Sequence, residues 1–369
     1  MPSSEQEECH LSEYLRILKD EVEAVERALH EFLTAKIEQI EHLGSWHKTY
    51  YENVKEYMTR GGKRLRPVLV VVGHKAVNEK ADGEKLYRAA CSVEILHNGS
   101  LLHDDLIDHD ETRRGGKTFH ATYRDLILDR GASRDTADNY GMTMAILGGD
   151  SLINLGAQAI TSANLDSDVG MKCQHLYQTA FQDLVDGVLL EMHMVKDPDA
   201  TAETYLEMVR MKTAVLFDKS LVMGATIARA SEAQIQALRE FGVKVGQAFQ
   251  VQDDILGSFG DEEKTGKSTS GDIREGKKTM LVFEAYARAT PEQREILDEL
   301  LGKDGMTEEE VDRVRAVFRD SGALEACQQM MDDLLTAGQK ALDKASPPLV
   351  PRYKEFMVAM SDFLVKRDY

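Results

Sequence analysis

Asp104 and Asp108 stand four residues apart in the stretch His103-Asp104-Asp105-Leu106-Ile107-Asp108-His109-Asp110. On a helix that spacing puts both carboxylates on one face, about one turn apart. Two anions so placed repel unless a cation lies between them. All-oxygen donors suit magnesium, which keeps several waters and binds through one or two carboxylates plus substrate phosphates. Arg113 and Arg114 follow closely, and guanidinium presents a fixed fork of donors to phosphate oxygens. Cation site and fork together point to a diphosphate. A lone motif of this kind is more simply a solvated acidic helix end, but the pattern recurs. Asp253-Asp254 ends the run from Gly246, and a glycine- and lysine-rich stretch, Lys264 to Lys278, comes after it.

Long helices must position these groups. No proline interrupts the chain between Pro67 and Pro198, or between Pro198 and Pro291, and an interior proline would cost a helix about 3 kcal/mol. Helical spacing of apolar residues from Leu11 to Leu43 predicts an amphipathic N-terminal helix or helix pair. Val68-Leu69-Val70-Val71-Val72 has strand composition but follows Pro67 at a first-turn position, so it is read as buried helix. The Gly61-Gly62 break exposes Lys63 and Arg66 at that helix's start, where dipole and free N–H groups favour anions. Asp129 to Asn139 reads as a polar loop. The small-residue run from Met142 to Ile160 reads as close-packed core or a dimer interface. Helical spacing resumes from Met171 to Met194. Lys212, in an apolar stretch, must snorkel or meet an anion. Thr290-Pro291-Glu292-Gln293 and Thr307-Glu308-Glu309-Glu310 read as helix starts.

Five stretches in this order, Gly61-Gly62-Lys63-Arg64-Leu65-Arg66-Pro67, the first aspartate motif with its arginines, Lys212-Thr213, Phe249-Gln250 with Asp253-Asp254, and the later lysines, resemble the trans-isoprenyl diphosphate synthases. This is the family of farnesyl and geranylgeranyl diphosphate synthases. The resemblance implies an all-α, isoprenoid-synthase-type bundle of long, mostly antiparallel helices around a central cavity. It implies one domain over residues 1–369, with 1–10 disordered and 261–278 a mobile active-site loop. It also implies a homodimer, and a prenyltransferase that condenses an allylic diphosphate (dimethylallyl, geranyl or farnesyl) with isopentenyl diphosphate.

In such an enzyme Asp104, Asp108 and Asp253 would hold Mg2+, with Glu191 as a further ligand. Lys63, Arg66, His97 and Arg114 would bind and orient isopentenyl diphosphate. Arg113, Lys212 and Lys267 would stabilise the leaving diphosphate, with Lys277 and Gln250 also binding substrate and Thr213 shaping the reacting site. Two departures stand out. The family's Gly-Gln-x-x-Asp reads Gly187-Val188-Leu189-Leu190-Glu191 here, and Gly257 stands where the second motif would have a third Asp, which suggests a helix loosening after Asp253. Asp254 and Asp272 would then act through water or through the ligands. Gly99 and Ser100 leave the chain-length pocket open where farnesyl synthases often carry aromatics. Leu96 and Val93 lie deeper, so a geranylgeranyl product is the first expectation. A terpene cyclase and a non-catalytic synthase subunit are the alternatives.

The totals agree. Lys and Arg number 45 against 64 Asp and Glu, a net charge of −19, which argues against the basic surface nucleic-acid binding needs. Cys9, Cys91, Cys173 and Cys327 are too scattered for a zinc pattern or disulfide framework. The N-terminus has no signal-peptide core, and no apolar run reaches the roughly 18 residues of a membrane span. A cytoplasmic enzyme without stable membrane insertion is expected.

Overall fold

The structure is a computed structural model that describes residues 4–260 and 269–365. Among these, every regular element is helical except one two-residue ladder, in which β1 (Thr112–Arg113) pairs antiparallel with β2 (Gly116–Lys117). No helix among them is long and apolar enough to cross a membrane. The chain divides into two compact units: one takes in the chain up to Gln178 with Ser220–Ala230, the other Thr179–Lys219 with Ser231 onward.

The first unit carries α1 (Ser4–Ile40), α2 (Ser45–Thr59), α3 (Leu65–Lys75), α4 (Gly83–Ile107), α5 (Phe119–Leu128) and α6 (Arg134–Thr161). It also holds the first part of α7 (Ser167–Lys196). Its core joins Leu29, Phe32, Tyr57, Met58, Ile95, Leu102, Phe119, Tyr123 and Leu152. The valine run is helical and each of Val68 to Val72 is fully buried, so packing overrides β-branched propensity. The α1 stripe is less regular than its spacing suggests, with Tyr14 and Ile17 buried and Leu15 49% exposed. The polar stretch after Asp129 is only partly loop. Ser133 accepts from the Thr136 N–H and starts α6 at Arg134, because a serine cap with Asp135 in the first turn satisfies the free donors.

Small residues let α4 and α6 approach closely. A Cβ on Gly99 would lie 3.2 Å from the Gly149 carbonyl and from Leu152 Cβ, and one on Gly148 would strike Leu102 and Phe119. The missing side chain at Gly99 is where α6 comes closest to α4.

The second unit carries the rest of α7, then α8 (Ala202–Val209), a π turn (Arg210–Ala214), the start of α9 (Val215–Ile227) and α10 (Glu232–Phe259). Beyond the undescribed segment come α11 (Gly271–Arg274), α12 (Met280–Arg288), α13 (Pro291–Leu300), α14 (Glu308–Asp320), α15 (Ala323–Ala341) and α16 (Pro351–Val365). Reciprocal capping boxes start α10, α13 and α14 at Ser231, Thr290 and Thr307. The latter two match the sequence signatures.

Within the first unit, a Cβ on Gly224 of α9 would fall 1.9 Å from the Val70 carbonyl of α3, whereas one on Gly170 meets nothing nearer than 4.0 Å. Gly224→Ala is expected to destabilise the chain by about 2 kcal/mol or more through overpacking. Gly170→Ala should stabilise it by roughly 0.5–1 kcal/mol through helix propensity. Thermal melts of the two variants measure both.

Candidate active site

The first unit gathers cations at the ends of α3 and α4. Gly61 and Gly62 turn the chain with φ of 88° and 124°, and Arg64 and Arg114 take left-handed conformations at 48° and 51°. Such backbone is uncommon for arginine and persists where neighbouring groups hold it. Arg64 is buried and donates to Glu94 Oε1 at 2.7 Å and to the Met58 carbonyl at 2.8 Å. Glu94 also accepts from Asn98 at 3.1 Å, and Asn98 Oδ1 accepts from Arg114 at 3.3 Å. Arg114 donates as well to the Gly61 carbonyl at 3.2 Å. A buried carboxylate thus sets the position of an exposed guanidinium.

Arg113 is fixed in parallel. Its Nε donates to Asp105 Oδ1 and its Nη2 to Asp110 at 3.2 Å, while Tyr57 donates to Asp105 Oδ2 at 2.8 Å. Burial raises the Asp105 pKa, against the pull of Arg113 and Tyr57. His97 lies within reach of this field. Burial, then Arg66, Arg114, Arg113 and Arg64, hold its pKa well below the ordinary value, so the imidazole is neutral and offers a donor without a charge. Lys63 is exposed and Arg66 half-buried at the start of α3. Arg66, His97, Arg113 and Arg114 therefore share one electropositive neighbourhood.

Asp104 is half-buried and Asp108 exposed, and Asp108 is the C-cap of α4, with its N–H on the Asp104 carbonyl. Carboxylates at a helix C-terminus meet the negative end of the dipole, so the pair favours a cation. Among the described residues no group of three His, Cys, Asp or Glu side chains forms a ready metal cage. Few hard oxygens with access to water fit magnesium, which completes its shell with water and phosphate.

The second unit holds a cavity of about 220 Å³ lined by Glu191, Lys212, Thr213, Gln250, Asp272 and Lys277, with Tyr205 and Asp254 at its wall. The π turn presents successive residues Lys212 and Thr213 to it, a local unwinding often found at functional sites. Glycines make the room. A Cβ on Gly187 of α7 would lie 2.8 Å from the Lys212 nitrogen, and one on Gly246 of α10 2.5 Å from Ala214 Cα.

The Lys212 ammonium donates to the Glu191 carboxylate. Thr213 donates to Gln250 Oε1 at 2.8 Å, Gln250 Nε2 donates to Asp254 Oδ1 at 2.9 Å, and Tyr205 donates to Asp254 Oδ2 at 2.5 Å. Burial pushes the Asp254 pKa up to about 7, opposed by the bonds from Tyr205 and Gln250 and reinforced by Asp272 and Asp253. Lys277 Nζ stands 3.4 Å from Asp272 and 3.0 Å from Glu275.

Asp253 is half-buried on α10 beside this wall. Lys267 lies outside the described residues, as do residues 261–268 of the expected active-site loop and residues 1–3 and 366–369. The helix does not loosen at Gly257. It runs on to Phe259, and a Cβ at Gly257 would lie 2.8 Å from Asp272 Oδ2; the missing side chain makes room for another acid. Val93 and Leu96 are buried in α4, and Ser100 donates to the His97 carbonyl at 2.9 Å.

The residues that sequence reasoning passed over are those that hold these groups: Tyr57, Glu94, Asn98, Asp105 and Tyr205. Asp105 lies inside a motif already noted, but only the fold reveals its partners.

An all-α chain with guanidinium groups round a neutral histidine in one unit, and ammonium and amide groups round a cavity in the other, has the chemistry of an isoprenoid diphosphate enzyme. The chain belongs to the polyprenyl synthetase family, whose model matches residues 47–318. Members of that family are trans-prenyltransferases that join allylic and isopentenyl diphosphates and generally use a divalent metal. The chain is 36% identical over 274 residues to the geranylgeranyl diphosphate synthase of Saccharolobus solfataricus, covering 74% of this chain and 77% of that one. It is 32% identical over 314 residues to the geranylfarnesyl diphosphate synthase of Aeropyrum pernix, covering 83% and 91%. Among solved structures it resembles the geranylgeranyl pyrophosphate synthase of Corynebacterium glutamicum, complexed with isoprenyl diphosphate and magnesium. The TM-score is 0.85 at 28% identity, over 94% of this chain and 98% of that one. The fold is thus the all-α isoprenoid synthase fold.

The neutral His97 gives a pH signature. Above its ordinary value of 6.5 the imidazole is uncharged in folded and unfolded chains alike. Below it only the unfolded chain takes up the proton, so stability is lost as pH falls from about 7 to about 5. His97→Gln should make the melting temperature fall less steeply over that interval than in the wild type. Parallel curves would show that His97 titrates normally in the fold.

Proposed function

We propose that this chain extends an allylic diphosphate with isopentenyl diphosphate to the geranylgeranyl length or somewhat beyond. The arginine field around a neutral His97, in a family member that keeps both aspartate motifs, carries the reading. Arg66, His97 and Arg114, with Lys63, bind and orient isopentenyl diphosphate. His97 donates a hydrogen bond without adding to the charge there, and Glu94 orients Arg114 through Asn98.

Lys212, Arg113, Lys277 and Lys267 receive the allylic diphosphate and the charge that grows on it as its C–O bond breaks. The Thr213 hydroxyl and Gln250 amide face the carbon that becomes cationic. The isopentenyl double bond adds to that carbon, and the proton then lost passes to the departed diphosphate. No side-chain nucleophile is required. In this reading Asp104 and Asp108 of the first unit would hold magnesium, as would Asp253 of the second, with Glu191 as a further ligand. The metal, when bound, neutralises diphosphate charge as a Lewis acid.

Product length rests on Ser100, Leu96 and Val93, with Gly99 acting by letting α6 approach. The geranylgeranyl and geranylfarnesyl products named for the relatives bracket the expected size. Met142, Ile146 and Leu147 expose 42–52% of their surface on α6. Large apolar groups clustered on one helix support burial against a second copy, hence a homodimer. Acting in the cytoplasm fits Cys91, Cys173 and Cys327, which are free and buried.

Incubation with labelled isopentenyl diphosphate, magnesium and each of dimethylallyl, geranyl and farnesyl diphosphate should yield elongated diphosphates, geranylgeranyl diphosphate foremost. Chelation of magnesium should abolish turnover. Asp104→Asn should lower it by roughly 10²–10³-fold, and Ser100→Phe should shorten the product. Hydrocarbon, or no product from any primer, would overturn the proposal.

A further inference from the structure

We propose that Tyr205 is a positioning residue that sets the polarity of the Thr213 hydroxyl through Asp254 and Gln250; the inference rests on the function proposed above. Tyr205 comes from α8, is 2% exposed and packs its ring 6.3 Å from that of Phe283. Its hydroxyl occupies one oxygen of Asp254 at 2.5 Å, and the Gln250 amide occupies the other at 2.9 Å.

Each bond decides the next. A carboxylate that accepts on both oxygens obliges Gln250 to turn its NH2 toward Asp254 and its oxygen toward Thr213. That oxygen takes the Thr213 proton at 2.8 Å, so the Thr213 oxygen offers lone pairs, not a hydrogen, to the cavity both residues line. A carbon becoming cationic there meets the negative end of a fixed dipole. Were Gln250 to flip, its NH2 would donate to Thr213, whose own hydrogen would turn outward and repel the cation. An amide alone has little preference between the two orientations. Tyr205 fixes the choice by anchoring one oxygen of Asp254, which holds the other toward the Gln250 NH2. The diphosphate end of the substrate is held elsewhere, by Lys212 and Lys277, so Tyr205 acts on the chemical step and not on affinity.

The test compares wild type, Tyr205→Phe and Tyr286→Phe, the last removing a hydroxyl that bonds to Asp298 on the same unit's exposed surface. Tyr205→Phe should lower kcat about tenfold, the loss expected from one misdirected hydrogen bond. It should leave KM for farnesyl diphosphate within about twofold, as well as the calorimetric Kd of the unreactive analogue farnesyl thiodiphosphate. Tyr286→Phe should match wild type. Because Tyr205 acts through Gln250, Tyr205→Phe with Gln250→Ala should be no slower than Gln250→Ala alone. If Tyr205→Phe does not fold, Asp254→Asn, which cannot accept on both positions, should give the same loss of kcat with unchanged analogue binding. An active wild type with Tyr205→Phe kcat within twofold overturns this inference alone, as does weaker analogue binding matching the loss in kcat. A wild type that elongates no primer overturns the proposed function and this inference with it.

Discussion

Cations gathered in one place repel unless carboxylates answer them, and that requirement shapes both units. Like charges a few ångströms apart repel by several kcal/mol in a partly dry setting. In the first unit Arg64 is answered by Glu94, and Arg113 by Asp105 and Asp110. In the second, Lys212 is answered by Glu191, and Lys277 by Asp272 and Glu275. These carboxylates keep the site folded before substrate arrives. They differ in what happens afterwards: Glu94 and Asp105 are buried at the base of their networks, while Glu191 and Asp272 line the cavity where a diphosphate would compete with them.

That division separates binding strength from geometry. A buried pair such as Arg64 with Glu94 costs desolvation and returns little net stability. What it supplies here is direction, since the same glutamate orients Asn98 and Asn98 orients Arg114. The half-exposed pair of Lys212 and Glu191 is cheaper to break. Its ammonium can pass from carboxylate to phosphate because the carboxylate it leaves is half-exposed and can be hydrated.

Candidate chemistry-bearing residues stand out by type and spacing, because charge pairs on a helix face need only the 3.6-residue repeat to meet. Helix identity followed from the absence of proline, and two helix starts from their capping residues. What escaped was set by contacts between elements. Gly257 as a loosening point failed because a glycine's role depends on which neighbour approaches it, here Asp272, just as α6 approaches α4 at Gly99. Tyr205 carried no signal, for its value lies in a hydrogen bond to a residue forty-nine positions away.

Gly187 and Gly246 extend the point to catalysis. Both sit where the π turn's backbone comes closest, so α7 and α10 grip Lys212 to Ala214 from two sides. A larger residue at either place would push the turn away and misplace Thr213 relative to Gln250, although neither glycine touches substrate. The departure from the family at Val188 leaves this untouched, because the glycine before it supplies the approach and Glu191, one turn on, supplies the acid. Constraint on this helix therefore falls on the missing side chain at 187, where the π turn approaches, and on the carboxylate at 191 that meets Lys212.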